Sequence, residues 1–257
     1  MTSNQPQTQA TSTITAWHPS GQYVSFDPGP HIYRMGAGSP MMSCTTFIKT
    51  FFPAFDREGV SARYAEKYDL DQATVLANWD AKGTAAATLG TKVHRYAECL
   101  MTGQTPLPRP ADDIEAGYFE SAALGVVHLL KKYEFIKSEM MIASPGLGLA
   151  GTIDLIMKQK KTFLILDWKT NAKINKSNQY QKGLPPIGHI DDCNYNHYRL
   201  QLNLYQYLLE KEKYFVDATG FRTGLIHLSP DGAMPEIMTI QDMTDAIENM
   251  INYFNDI

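Results

Sequence analysis

Cysteine is scarce in this chain. Cys44, Cys99 and Cys193 are the three in 257 residues, and they stand far apart. Scattered thiols offer neither a disulfide framework nor the paired spacing of a structural zinc site, and they fit a reducing compartment. Long apolar runs are missing too. No stretch can span a bilayer, and the polar start, residues 2–13, lacks the apolar core of a secretory leader. A soluble, intracellular protein without membrane contact is therefore expected. No internal repeat is present. Nor is there a basic excess: the formal net charge is −4, which argues against tight binding of nucleic acid over a long footprint, because phosphate contacts need cations.

What is present describes a globular protein. The hydrophobic and charged fractions, 44% and 19%, are those of a soluble domain, and the length suffices for one sizeable core. Residues 1–16 are rich in Thr, Gln and Ser and are expected to be a disordered tail. Residues 17–257 are expected to form a single domain, with a helical N-terminal part over 43–135 and a core over 84–257. Extended segments are expected over 23–33, about a Pro-Gly-Pro turn. Ser43 is placed to cap a helix whose Phe47, Ile48, Phe51 and Phe52 enter the core. Helices are expected over 57–68, 72–82, 84–101 and 112–135, then a strand over 138–144. A polar loop over 171–196 is too long for a simple connection and is read as a substrate-contacting loop or gate. A helix over 198–212, strands over 223–228 and 236–240, and a closing helix over 241–254 complete an α/β chain with a mixed central sheet flanked by helices.

The rest is organised around residues 148–170. Residues 151–158 and 162–169 read as the two arms of a β-hairpin turning at 159–161. Both arms are rich in Ile, Leu, Phe and Thr without clean alternation, as strands buried on both faces should be. Into that apolar background fall Asp154, Asp167 and Lys169. Charges buried in a sheet are costly unless partnered. Folding about Lys160 brings Asp154 across from Asp167, and Lys169 shares the face of Asp167 at i+2. Two carboxylates and an ammonium in this arrangement suit one hard divalent cation and phosphodiester hydrolysis. The plain alternative is a solvated hairpin with surface charges, and the apolar runs on both arms weigh against it.

Other residues are weaker taken singly. His94 and Glu98 are four apart and share a helix face; a lone helical His is more often structural. Gly90 is read as allowing close approach of its helix to the sheet. Gln201 and Tyr205 share a face of the later helix and are candidates to touch a substrate strand or hold Lys169; a core phenol is the weaker alternative for Tyr205. Lys158, Lys160, Lys161, Lys169, Lys173, Lys176 and Lys182 lie between positions 158 and 182 against the single acid Asp167. This is read as a locally basic track for a phosphate backbone, or else as ordinary solvated lysines.

Together these residues resemble the PD-(D/E)XK nuclease superfamily in its RecB-like branch. Gly151-Thr152-Ile153-Asp154 and Asp167-Trp168-Lys169-Thr170 are similar to that branch's Gly-x-x-Asp and Asp-x-Lys-Thr motifs, with Ile153 in place of the superfamily's Pro. Gly90-Thr91-Lys92-Val93-His94-Arg95-Tyr96-Ala97-Glu98 is similar to its Gly-Thr-x-x-His-x-x-x-Glu helix. Gln201-Leu202-Asn203-Leu204-Tyr205 is similar to its Gln-Leu-x-x-Tyr helix. The resemblance implies a restriction-endonuclease-like core holding Mg²⁺ or Mn²⁺, as one or two ions, on His94, Asp154, Asp167 and the Trp168 carbonyl. Glu98 and Glu139 are second-tier site residues. Asp154, Asp167 and Lys169 would be catalytic, and Gln201, Tyr205, Thr170, Lys173 and Lys176 would contact substrate. Three isolated cysteines cannot supply the iron–sulfur cluster of some relatives. The implied activity is a DNA exonuclease acting on ends or single strands in replication, recombination or repair, similar to mitochondrial genome maintenance exonucleases and to viral or phage enzymes, with a recombination or replication protein as possible partner. An endonuclease of the same core, an inactive DNA-binding module and a structural partner protein remain alternatives.

Overall fold

The computed structural model describes residues 13–256. Of the expected tail, residues 1–12 lie outside the described residues, while Ile14 to Ala16 already belong to a strand. Four short strands open the chain: β1 (Ile14–Trp17), β2 (Tyr23–Asp27), β3 (Ile32–Met35) and β4 (Pro40–Ser43). They form an antiparallel meander, of which the extended segments expected over 23–33 are only the middle. Strand β4 then pairs in parallel with the start of a later strand, Met42 against Leu149, which joins the meander to the main sheet.

Ser43 caps α1 (Cys44–Lys49) by accepting the Thr46 N–H at 3.0 Å, and Phe47, Ile48, Phe51 and Phe52 are buried as expected. After α2 (Arg57–Tyr68) comes α3 (Gln72–Thr102). The sequence divides α3 into two helices at Gly83, but it is one helix of 31 residues, roughly 46 Å long. A glycine inside a helix costs only about 1 kcal/mol against alanine, and Ala85 to Ala87 favour helix. The ends are set by Asp71, which accepts the Thr74 N–H, and by Gly103 at φ 70°. Helix α4 (Asp113–Leu130) stops short of the expected Phe135, which instead pairs with Met157 as part of β5 (Glu134–Ser144).

The expected hairpin is present as β6 (Leu149–Gln159) and β7 (Thr162–Lys169), in the register that folding about Lys160 requires: Leu155 faces Leu166 and Gln159 faces Thr162. Helix α5 (Asn194–Lys211) begins four residues earlier than expected. It crosses over to β8 (Gly220–His227), which lies parallel to β7; β9 (Glu236–Ile240) and α6 (Thr244–Asn255) follow. Among the described residues nine strands form one mixed sheet. One face packs on α1, α5 and α6 through Phe47, Ile153, Ile165, Leu204 and Ile247. The other packs on α3 and α4 through Val93, Phe119, Val126, Leu155, Leu166 and Trp168. With both faces covered, β6 and β7 need apolar residues at nearly every position, which explains their lack of alternation.

Candidate active site at the sheet fork

The pairing of β6 fails on both edges at one residue. Toward β7 the ladder ends at Leu155–Leu166, one step short of Asp154 and Asp167. Toward β5 it passes from Ser138–Leu155 to Met140–Ile153, leaving Glu139 and Asp154 unpaired between them. Glu139 lies at φ 47°, a left-handed conformation that costs a non-glycine residue of order 1 kcal/mol or more. The strands thus fork where the acids stand, and the opening faces α3.

His94 enters from α3. Its Nδ1 lies 3.3 Å from Asp154 Oδ2, and its Nε2 lies 3.0 Å from the Trp168 carbonyl oxygen. Asp154 Oδ2 also accepts the Trp168 backbone N–H at 3.0 Å. One potential ligand atom from each of His94, Glu139 and Asp154 lies within 4.8 Å of the others. Across the fork, Lys169 Nζ forms an ion pair with Asp167 Oδ2. This oxygen is buried, and among the described residues nothing besides Lys169 engages it. The Lys169 ammonium also stands 4.3 Å from the centre of the Tyr198 ring, whose hydroxyl donates to Asn171 Oδ1 at 2.8 Å.

The charges are strongly perturbed. Burial, and then repulsion from Asp154, push the Asp167 carboxyl up to about 6 despite the nearby Lys169. The cleft walls strip water from the Glu139 carboxyl, and Asp154, Glu98 and Asp167 repel its charge. Together they push it up to about 8, although the residue keeps an exposed surface. For Lys169, burial works to lower the ammonium, but Asp167 and Asp154 outweigh it and hold it above its ordinary value. It is therefore a cation throughout the neutral range. Two clustered carboxylates that resist ionising, beside a third aligned with an imidazole, form a donor set suited to a hard divalent cation.

Most of the sequence-predicted residues gather here, with rearranged parts. Glu139 stands beside His94 and Asp154, while Asp167 is engaged by Lys169. Glu98 is held by Arg95 at 2.6 Å and acts on Glu139 by repulsion. Tyr205 is packed into the core. It is 3% exposed, accepts a hydrogen bond from Gln201 Nε2 at 2.8 Å, and packs so closely on β6 that a Cβ at Gly151 would meet its Cε1 at 2.7 Å. Gly90 is not needed for close approach: a Cβ there would meet only Thr170 Oγ1 at an ordinary 3.6 Å. Gln201 lines a cleft of about 480 Å³ with Lys169, Tyr198 and Lys49.

The basic track shortens. Lys160 and Lys161 sit on the hairpin turn, six residues or about 20 Å of strand from Asp167, and Lys158 is paired with Asp217 at 3.2 Å. Lys173 is exposed beyond the strand, as is Lys176, which lies 5.7 Å from the Tyr195 ring. The loop before α5 is no loose gate. Ile187 and Ile190 are buried, and the Leu184 N–H donates to the Phe51 carbonyl at 2.7 Å. Tyr198 escaped the sequence reading; its position three before Gln201, on the same helix face, is the signal that could have found it.

A sheet fork lined by carboxylates, an imidazole and a buried ammonium offers the donor set that a divalent cation takes. The family model described as the PD-(D/E)XK nuclease superfamily matches residues 61–252, and the chain belongs to that superfamily, whose nucleases use divalent metal ions. No curated protein matches the chain. Among solved structures, one described as "Crystal structure of SSO0001" is 16% identical, with a TM-score of 0.35. The match covers 84% of this chain and 73% of that one. Among the described residues no helix is long and apolar enough to cross a membrane.

Proposed function

We propose that the chain is a metal-dependent DNA exonuclease of the RecB-like branch, hydrolysing phosphodiester bonds at ends or in single strands during replication, recombination or repair. The observation that carries this reading is the convergence of His94, Glu139 and Asp154 at a fork whose other wall is Asp167 and Lys169. The four motifs between Gly90 and Tyr205 support the branch, and the net charge of −4 favours a short footprint over a long duplex contact.

Asp154, Glu139 and His94 would hold an ion of the Mg²⁺ or Mn²⁺ kind, with Asp167 and the Trp168 carbonyl beside it. Bound there, one ion or two would supply Lewis-acid polarisation of a phosphate oxygen and would acidify a water for attack. The carboxylates of Asp167 and Asp154 hold the Lys169 ammonium above its ordinary value. Lys169 orients the attacking water and offsets the negative charge that grows on the phosphate. The Tyr198 ring restricts where that ammonium can move, and Asp154 fixes the Trp168 peptide through its N–H.

The test is digestion of end-labelled single-stranded and blunt duplex oligonucleotides, beside a covalently closed circle, in Mn²⁺ or in chelator. Release of nucleotides or short products from linear DNA in Mn²⁺ alone is expected. Equal cutting of the circle would replace the exonuclease by an endonuclease. No hydrolysis with any divalent ion would end the reading.

A further inference from the structure

A second hollow opens beside the fork and shares a wall with it. Its volume is about 780 Å³, and it runs between β1, β5 and α3 from Glu139 to Trp17. That volume falls within the range of small-molecule sites, about 300–1,000 Å³. The lining is mainly apolar. Arg95 and Lys137 are its cations, Glu98 and Glu139 its acids, and Arg95 already neutralises Glu98.

Three features point to a ligand. Trp17 is 62% exposed, a large apolar surface to leave in water. The Tyr23 ring, its cross-strand partner, lies against one face of the indole at 3.9 Å between centroids, with the planes 31° apart, and steadies it. In the groove wall, the Ser138 hydroxyl is 93% buried as a residue (7% exposed) and has no hydrogen-bond partner. Such a group is costly unless something reaches it. Finally, Glu139 belongs both to this groove and to the cation-binding trio, so whatever lies in the groove is continuous with the cleaved bond.

We propose that this groove seats the unpaired nucleotides adjoining the scissile phosphate, with Trp17 as a stacking platform for one base; this rests on the nuclease reading above. Apolar walls suit base faces, which a duplex hides within its stack and a single strand exposes. The scarcity of cations is consistent with bases inside the groove and phosphates along its rim.

The test measures binding without turnover. Affinity for a fluorescein-labelled oligothymidylate twelve-mer is read by anisotropy in chelator, for the wild type, Trp17→Ala and Trp17→Phe. Trp17→Ala is expected to bind between roughly five-fold and a hundred-fold more weakly, Trp17→Phe close to wild type, and blunt duplex to be affected less than two-fold. Wild-type protein irradiated with a 5-iodouracil oligonucleotide is expected to cross-link at Trp17. If Trp17→Ala binds the twelve-mer like wild type, or the cross-link falls outside the groove, the proposal is overturned while Mn²⁺-dependent cleavage by the wild type would keep the nuclease reading. If the wild type neither binds the twelve-mer nor cleaves DNA, both fall together.

Discussion

Asp154 accepts the backbone N–H of Trp168 at 3.0 Å, so the first acid of the fork holds the peptide that follows the second acid. The same carboxylate oxygen lies 3.3 Å from His94. One residue thus has a structural task, closing a ladder that ends a step too early, and a chemical one.

The two tasks can be separated. Asp154→Asn keeps an acceptor for the Trp168 N–H and is expected to unfold at nearly the wild-type urea concentration. Asp154→Ala leaves that N–H unpaired and is expected to lose about 1–3 kcal/mol. Both are expected to lose DNA cleavage altogether. Urea melts and an oligonucleotide assay on the same preparations check the pair; retained activity in Asp154→Asn would show that the charge is dispensable.

Lys169 is expected to matter for turnover and little for affinity. Lys169→Ala removes the ammonium that faces Asp167 and should lower the cleavage rate by on the order of a hundredfold or more, with DNA binding in Ca²⁺ within a few-fold of wild type. It also leaves a buried carboxylate unpaired, so the melting temperature should drop more at pH 8 than at pH 5, where that carboxyl is protonated.

Glu139 gives a pH signature. Its carboxyl ionises near 4.5 in the unfolded chain and only at about 8 in the folded one. The folded state therefore holds a proton that the unfolded state has released, and this site's contribution to stability declines as pH rises from about 4.5 to about 8. Metal-free Glu139→Gln is expected to escape that decline and to be more stable than wild type at pH 8. In wild type, Mn²⁺ should raise the melting temperature more at pH 8 than at pH 5.5, since at the lower pH it must displace a proton. Scanning calorimetry across this range reads both effects; a Glu139→Gln curve parallel to wild type would remove the residue from the cluster.

Gly151 and Tyr205 form a packing pair. Gly151→Ala drives a methyl into the Tyr205 ring and is expected to cost about 1–3 kcal/mol. Tyr205→Phe, which spares the ring, should keep cleavage within a few-fold of wild type. A large loss of turnover at unchanged stability in Tyr205→Phe would return the phenol to a substrate-contacting role.

The core of the site was legible because strand geometry is strict. Once residues 151–169 read as a hairpin turning at Lys160, Asp154 had to face Asp167, and the register agrees. The α/β class followed from the same doubly apolar strands. Glu139 was harder to place, because its position depends on a left-handed residue within a strand, and no period or propensity announces that. The joined helix α3 was missed because Gly83 looks like a stop, while capping by Asp71 and Gly103 decides its ends. The early meander was caught only in part, because strands of four or five residues carry too little pattern to count. Position along the chain puts the turn lysines on the substrate path, but a strand of eight residues carries them to the far end of the sheet.

The account rests on a divalent cation seated in the fork. Anomalous diffraction from crystals soaked in Mn²⁺ at pH 8 tests this most directly, with His94→Ala crystals beside the wild type. The expected result is a strong peak bounded by His94, Glu139 and Asp154, with Asp167 and the Trp168 carbonyl on its other side, weakened in His94→Ala. A fork without a peak, or manganese bound only elsewhere on the protein, would contradict it.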